Sequence, residues 1–371
     1  MVVNDSLFKT IVVDPRDIKN PQKPANISEI AAGVEYIPLQ TEDSILIGKA
    51  KKLIVWNGKY YIWDELTETV FCFDGKGHFL HKIQKQGQGP GEYPRIKGFT
   101  MDMKSGNICI YSDMAKAIYI YAENGDFIKK TSSALILSSF AVKNEFIYYY
   151  PGHMPNHDFF SKDYPSQYRY VVMKDGEYIH QQLKYIYDNK HSLIPQSGNN
   201  FSFYKDTILF IEYLKPEIYA IDSAGYLKPK YRIEFLTNTY SPSFDTKIDL
   251  EKINFEKENG RFATLWSGFY ETDNYLFFNY AWGIIGGVYI NKKDNSIHNM
   301  GFFLTDDFNH NTMPVTTDFV DEKNMYKIEE PASLLRKKTK SEFSPYLENI
   351  VSEIQEFDNP VIIKIKLKDE N

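Results

Sequence analysis

The chain has 371 residues, 43% hydrophobic and 16% aromatic, with 28 Tyr and 26 Phe, a supply of rings that favours half-buried strands over helices. A formal net charge of −6, with no basic block interleaved with aromatics, excludes the electrostatic footprint of a nucleic-acid binder. The two cysteines, Cys72 and Cys109, stand in strand-like runs without CxxC spacing or a neighbouring histidine, which excludes a thiolate metal centre and favours buried free thiols over a disulfide.

The N-terminal MVVNDSLFKTIVVDP has no apolar signal core, and no stretch reaches the roughly 18 apolar residues needed to cross a bilayer. These features fit a cytoplasmic protein or a mature chain whose export signal has been removed. LFKTIVVD itself alternates as a strand. Residues 61–83 can then be laid on residues 109–131: in each copy a strand ends, a polar turn follows, a second strand alternates (Val70, Cys72; Ile118, Ile120), and a glycine turn (Gly77, Gly125) reverses into a third. This is an antiparallel meander with a spacing of 48, from Gly77 to Gly125. The turn glycine recurs at Gly176 and Gly225, and Asn295 takes the same place in GGVYINKKDNSIHNM, asparagine being tolerated in the left-handed conformation. The longer interval before Asn295 is assigned to residues 241–260, expected as one short inserted helix ending at Gly260. NPVIIKIKLKDEN supplies a last strand, and LFKTIVVD is expected to pair beside it. The predicted architecture is an all-β, six-bladed propeller of four-stranded antiparallel blades, formed as a single domain over residues 1–371.

Between two such units lies IQKQGQGPGEYPRIKG, residues 83–98. Gly87, Gly89 and Gly91 suit tight turning and close backbone approach, and Pro90 and Pro94 stiffen a path without ladder hydrogen bonds. A phosphate cradle would need Lys-Ser/Thr opening a helix; Glu92 and Tyr93 follow instead. The segment is therefore expected to cross from the outermost strand of one blade to the innermost strand of the next.

FCFDGKGHFLHKIQKQGQGPGEY, supported by VEYIPLQTEDSILIGKAKKLIVWNGKYYIWD, LTDDFNHN and DNPVIIKIKLK, resembles NHL-type six-bladed β-propellers, most closely the propeller lipoproteins of Bacteroidetes. The resemblance implies an exported, lipid-anchored protein of the periplasm or outer membrane. It implies no activity.

Several constellations are candidates for function. Glu92, Tyr93 and Arg95 are expected near the mouth of a central channel, where arginine could grip a carboxylate, or else they tie neighbouring blades together. Trp266, Tyr280 and Trp282 stand beside small residues and are the candidate exposed aromatics, against a core role. His153, His157 and Asp158 in GHMPNHDFF lack the spacing of a helical zinc site. Asp306 and Asp307, with His310 and Asp318, could hold a cation through carboxylates, against turn capping. DGKG at Asp74–Gly77 is too short for a calcium loop and fits a hairpin. No nucleophile elbow is present.

The expected function is a non-catalytic module, without cofactor, that binds a peptide, a glycan or a membrane-protein partner as an accessory to outer-membrane uptake or export. The alternative is a lyase or lactone hydrolase with a metal on the propeller axis. That enzyme would need inward acids from several blades, and of the predicted inner strands FTMDM offers Asp102 while the others offer little.

Overall fold

Thr69–Phe73, Ile108–Ser112 and Ala117–Tyr121 are buried at every position, so neither face of these strands meets solvent. The computed structural model of the chain describes residues 7–17, 24–152, 154, 156–160, 166–186, 199–212, 215–239, 262–339 and 342–369. Their strands form seven sheets. In chain order the first four span residues 50–83, 98–132, 139–186 and 201–235, and each is an antiparallel four-stranded meander in sequence order. The fifth spans residues 238–301, the sixth joins 25–26 with 303–306 and 311–314, and the seventh joins 319–320, 324–329 and 361–367 with 31–38.

The protein is a β-propeller with seven blades, which corrects the expected six. The residues assigned to one composite sixth unit make two separate sheets. Two helices between strands Asn324–Glu329 and Val361–Leu367 of the seventh sheet obscured this in the sequence. Pro331–Lys338 starts on a proline and ends on Arg336, Lys337 and Lys338, cations that suit a helix C-terminus. Pro345–Glu353 is capped by the Ser344 hydroxyl, which accepts from the Leu347 N–H at 3.2 Å. Pro331, Leu334, Leu347 and Val351 are the buried residues of this pair. The helix expected over residues 241–260 lies outside the described residues.

A second correction concerns the strand that completes the last sheet. Lys9–Val13, from LFKTIVVD, does not pair with Val361–Leu367; it runs parallel to Leu227–Phe235 as a fifth strand of the fourth sheet. The strand beside Val361–Leu367 is Ala31–Pro38, antiparallel from Val361↔Pro38 to Leu367↔Ala31. Ala31–Pro38 leads directly into the first sheet, and its register places Ile37 in one core with Ile362, Leu53 and Ile62.

Turn chemistry follows the repeat closely. Gly77, Gly125, Gly176, Gly225 and Asn295 all have positive φ, between 60° and 89°, and each opens the last strand of its sheet. A register shift recurs in that same hairpin in the first five sheets, at Cys72/Phe73, Ile120/Tyr121, Val172/Met173, Ile218/Tyr219 and Gly287/Val288. Asp74 accepts from the backbone N–H groups of Lys76 and His78 at 2.8 and 2.9 Å, so DGKG is a capped hairpin turn.

By contacts the described residues fall into two compact units. One draws on Met1–Asp17, Gly87–Tyr270 and Phe277–Ile285, the other on Ile18–Gln86, Glu271–Leu276 and Gly286–Asn371. In the first unit the third sheet serves two cores by strand alternation: Ile147 and Tyr149 pack with Cys109, Ile118 and Phe140, while Tyr148 and Tyr150 pack with Phe210 and Tyr219. Tyrosine is used there for its hydroxyl as well as its ring. Tyr121 donates to the Gly91 carbonyl at 2.8 Å, Tyr170 to that of Gly225 at 2.7 Å, and Tyr111 to that of Leu135 at 3.1 Å, so loops are tied down by rings anchored in the sheets.

Candidate functional site

The glycine-rich crossing is held together by its own residues. Gly91 alone of Gly87, Gly89 and Gly91 has positive φ, at +74°; Gly87 and Gly89 are needed for the close approach of Glu92. A Cβ on Gly87 would lie 2.0 Å from the Glu92 carboxylate. Glu92 Oε2 accepts from the Gly89 N–H at 2.8 Å, the Gly87 N–H donates to the Tyr93 carbonyl at 3.0 Å, and Pro90 sits inside this small ring of bonds. The Tyr93 ring is fully buried and meets Tyr119 and Tyr121 edge-on at 6.1 and 6.4 Å. Arg95 grips Asp113 with two donors, Nε at 2.7 Å and Nη2, and these bonds hold the Asp113 carboxyl below the usual range.

The other sequence candidates lie apart from this loop. Tyr280 is fully buried, 5.7 Å from Phe235, and Trp266 and Trp282 are half-buried. Asp306 is fully buried and accepts from the Tyr36 hydroxyl at 2.7 Å and from Asn309 Nδ2 at 2.9 Å. Its neighbour Asp307 accepts from the backbone and the hydroxyl of Ser28. His310 contacts the Glu342 carbonyl at 3.2 Å, and Asp318 accepts from the Ile328 N–H at 2.7 Å. His157 and Asp158 fall in the helical turn His157–Phe160, while His153 lies outside the described residues. Among the described residues no three metal-capable side chains come together.

What the structure does bring together is a cleft between the second and third sheets. Its cavity is about 310 Å³. Cys109, Ile120, Val142 and Ile147 form an apolar floor; Asp102, Lys129, Glu145 and Asp175 supply charges around it. These charged groups come from corresponding ends of adjacent repeats: the turn of residues 102–107, the hairpins at Asn144 and Asp175, and the strand that follows Gly125. Asn144 and Asp175 hold φ at 56° and 50°, which turns the chain sharply where Asn144, Glu145 and Asp175 line the cleft. Lys129 lies 3.5 Å from Asp175, and Lys174 lies 3.1 Å from Glu145. Asp102, only 4% exposed, accepts from the Lys104 N–H at 3.1 Å and the Ser105 hydroxyl at 3.0 Å. Burial, and then the Asp102 charge, push the Cys109 thiol well above its ordinary pKa. An apolar floor beneath a few convergent polar groups is the usual chemistry of a small-ligand site.

A buried polar network lies elsewhere in the same unit. Arg169 Nε donates to Glu212 Oε1 at 2.6 Å with both side chains under 10% exposed, and the guanidinium lies 5.3 Å from the Tyr185 ring. Tyr185 donates to Gln167 at 3.3 Å, and Ser139 to Asn200 at 2.8 Å.

Sequence patterns singled out Asp102 and Cys109 but not Lys129, Glu145 or Asp175. Each of those three is an ordinary hairpin-flanking charge, and only the packing of one repeat on the next makes them neighbours. The available signal was the repeat itself, since equivalent turns of adjacent meanders end side by side.

A family model described as a domain of unknown function, DUF4934, matches residues 8–366. No curated protein matches the chain. Among solved structures, a candidate exported protein of Bacteroides fragilis aligns over 98% of this chain and 100% of its own, at 15% identity and a TM-score of 0.74. A DUF4221 family member from Bacteroides vulgatus aligns over 91% of this chain and 97% of its own, at 13% identity and a TM-score of 0.52. At such identities the likeness shows the fold alone. The resemblance to NHL-type propellers holds for the propeller fold and not for the number of blades.

Proposed function

The chain belongs to the DUF4934 family, and from that premise we propose that it is a non-catalytic binding propeller, exported and lipid-anchored, that serves an uptake or export system of the outer membrane. The observation that carries the binding role is the cleft of about 310 Å³ between the second and third sheets, apolar at its floor and charged around it. Its ligand is a peptide, a glycan or a side chain of a membrane-protein partner. The half-buried Trp266 and Trp282 and the exposed Arg95 are further contact points in this reading, whereas the buried rings of Tyr93 and Tyr280 would act by holding the scaffold. The alignment with a candidate exported protein over its full length supports the location.

Thr131 lines the cleft from a strand whose residues are largely exposed, so Thr131→Trp fills the cavity with little disturbance of the core. Ligand-observed NMR against a panel of short peptides and oligosaccharides should give binding to the wild-type chain that Thr131→Trp removes. Equal binding by both proteins would move the site elsewhere. Fractionation of the natural host should recover the protein with the envelope; recovery with cytosolic markers would end the export reading.

A further inference from the structure

The cleft between the second and third sheets has a chemical bias that narrows its ligand. Its lining carries three carboxylates, Asp102, Glu145 and Asp175, against one ammonium, Lys129. Two of the carboxylates are balanced, since Asp175 lies 3.5 Å from Lys129 and Glu145 lies 3.1 Å from Lys174, with every one of these four side chains 39–63% exposed. Asp102 differs: it is 96% buried, and its described partners are a backbone N–H and a hydroxyl, both neutral. A carboxylate offers about four lone-pair sites, so two neutral donors leave capacity for a cation. The Asp102 charge acts at the cavity floor, where it adds to burial in raising the Cys109 thiol and outweighs the pull of Lys129.

The floor is aliphatic, from Ile120, Val142 and Ile147. At roughly 30 Å³ of liquid volume per water molecule, the cavity admits a group on the order of ten heavy atoms. From these features we infer that the cleft takes a short aliphatic chain ending in a primary ammonium, the stem lying on the isoleucines and valine and the cation facing Asp102. The inference rests on the cleft being the binding site. A lysine side chain of a peptide and a free alkylamine share this chemistry.

Cys109 makes the test direct, because it sits on the cavity floor while Cys72 does not line the cavity. In a Cys72→Ser background, methanethiosulfonates form a mixed disulfide with the Cys109 thiolate and release methanesulfinate. The cationic aminoethyl reagent should modify Cys109 on the order of tenfold faster than the anionic sulfonatoethyl reagent, after correction with a free model thiol. Asp102→Asn keeps hydrogen-bonding capacity at the turn and should bring the ratio near one, while Lys129→Gln should increase it. Pentylamine and Nα-acetyl-lysine amide should each slow modification by the neutral methyl reagent, whereas pentanoate should not. Protection by pentylamine alone would assign the site to free amines, and protection by the lysine amide to peptide side chains. Burial holds the Cys109 thiol above its ordinary pKa, so modification is slow even in an open cleft. Ligand-observed NMR of pentylamine with wild type and Thr131→Trp is the independent check, and absence of binding there together with no modification by the neutral reagent would bring down the binding reading with the inference. Equal rates for cationic and anionic reagents in an open cleft would overturn the amine assignment alone.

Discussion

The contact between Arg169 and Glu212 sets two full charges under 10% exposure at 2.6 Å, and its energetics are asymmetric. Removing both charges from such a site is often neutral, but removing one strands the other in a low-dielectric interior. Glu212→Gln should therefore destabilise the chain by about 3–5 kcal/mol in urea unfolding, and Arg169→Met combined with Glu212→Leu should recover most of that loss. A double variant no more stable than Glu212→Gln would show that the charges are needed for the local fold. His180 is a second buried group with a direction to its chemistry. Its ring stacks on Tyr226 at 3.9 Å and 1°, Nε2 faces the Ala224 carbonyl at 3.3 Å, and buried Nδ1 has no hydrogen-bond partner. Protonation would add a donor with nothing to receive it, and burial already lowers the imidazole pKa below 6.5, against smaller upward pulls from Ala224 and Asp222. Because the native state holds its proton less tightly, the unfolded chain gains protons first as pH falls. Its contribution is thus present above pH 6.5 and lost as pH falls from there through the native value. His180→Phe, which keeps the stack, should flatten thermal stability between pH 7 and pH 5 relative to wild type; identical slopes would locate the acid sensitivity elsewhere.

At the scale of elements, the turn that opens the last strand of each of the first five sheets is the most legible feature of the chain. Gly77 shows why: a Cβ there would lie 2.3 Å from the Pro38 carbonyl oxygen at a φ of +88°. Gly77→Ala should cost more than the roughly 1–2 kcal/mol of a left-handed alanine, whereas Asn295→Gly should be nearly neutral; denaturant midpoints measure both. The sixth and seventh sheets escaped the same reasoning for physical causes. In the sixth, the Asp306 carboxylate accepts from the Phe308 and Asn309 N–H groups at 3.2 Å and turns the chain without glycine. In the seventh, helices at Pro331–Lys338 and Pro345–Glu353 interrupt the strand spacing. The two N-terminal strands then make separable predictions. Deleting residues 1–15 removes Lys9–Val13 and leaves a four-stranded fourth sheet, so unfolding should stay cooperative at a lower Tm. Deleting through Pro38 also removes Ala25–Asn26 from the sixth sheet, exposes the whole edge of Val361–Leu367 and should abolish cooperative unfolding. Equal damage from both deletions would contradict the observed pairing.

For the whole molecule, composition and turn spacing pointed to a propeller of antiparallel meanders, and the strands of the described residues form seven sheets. The candidate site was far less legible. Asp102 and Asp175 are each explained locally as turn residues, and their shared role at the cleft depends on the second and third sheets packing through Cys109, Ile120, Val142 and Ile147. By itself the sequence determined the strand content, the hairpin turns and their period, because alternation, ring size and positive-φ residues act over a few neighbours. Only the tertiary structure decided that Ala31–Pro38 rather than Lys9–Val13 lies beside Val361–Leu367, and which loop charges face the cavity. Every strand offers the same backbone donors and acceptors, so the choice among partners is made by register, burial and chain reach in three dimensions.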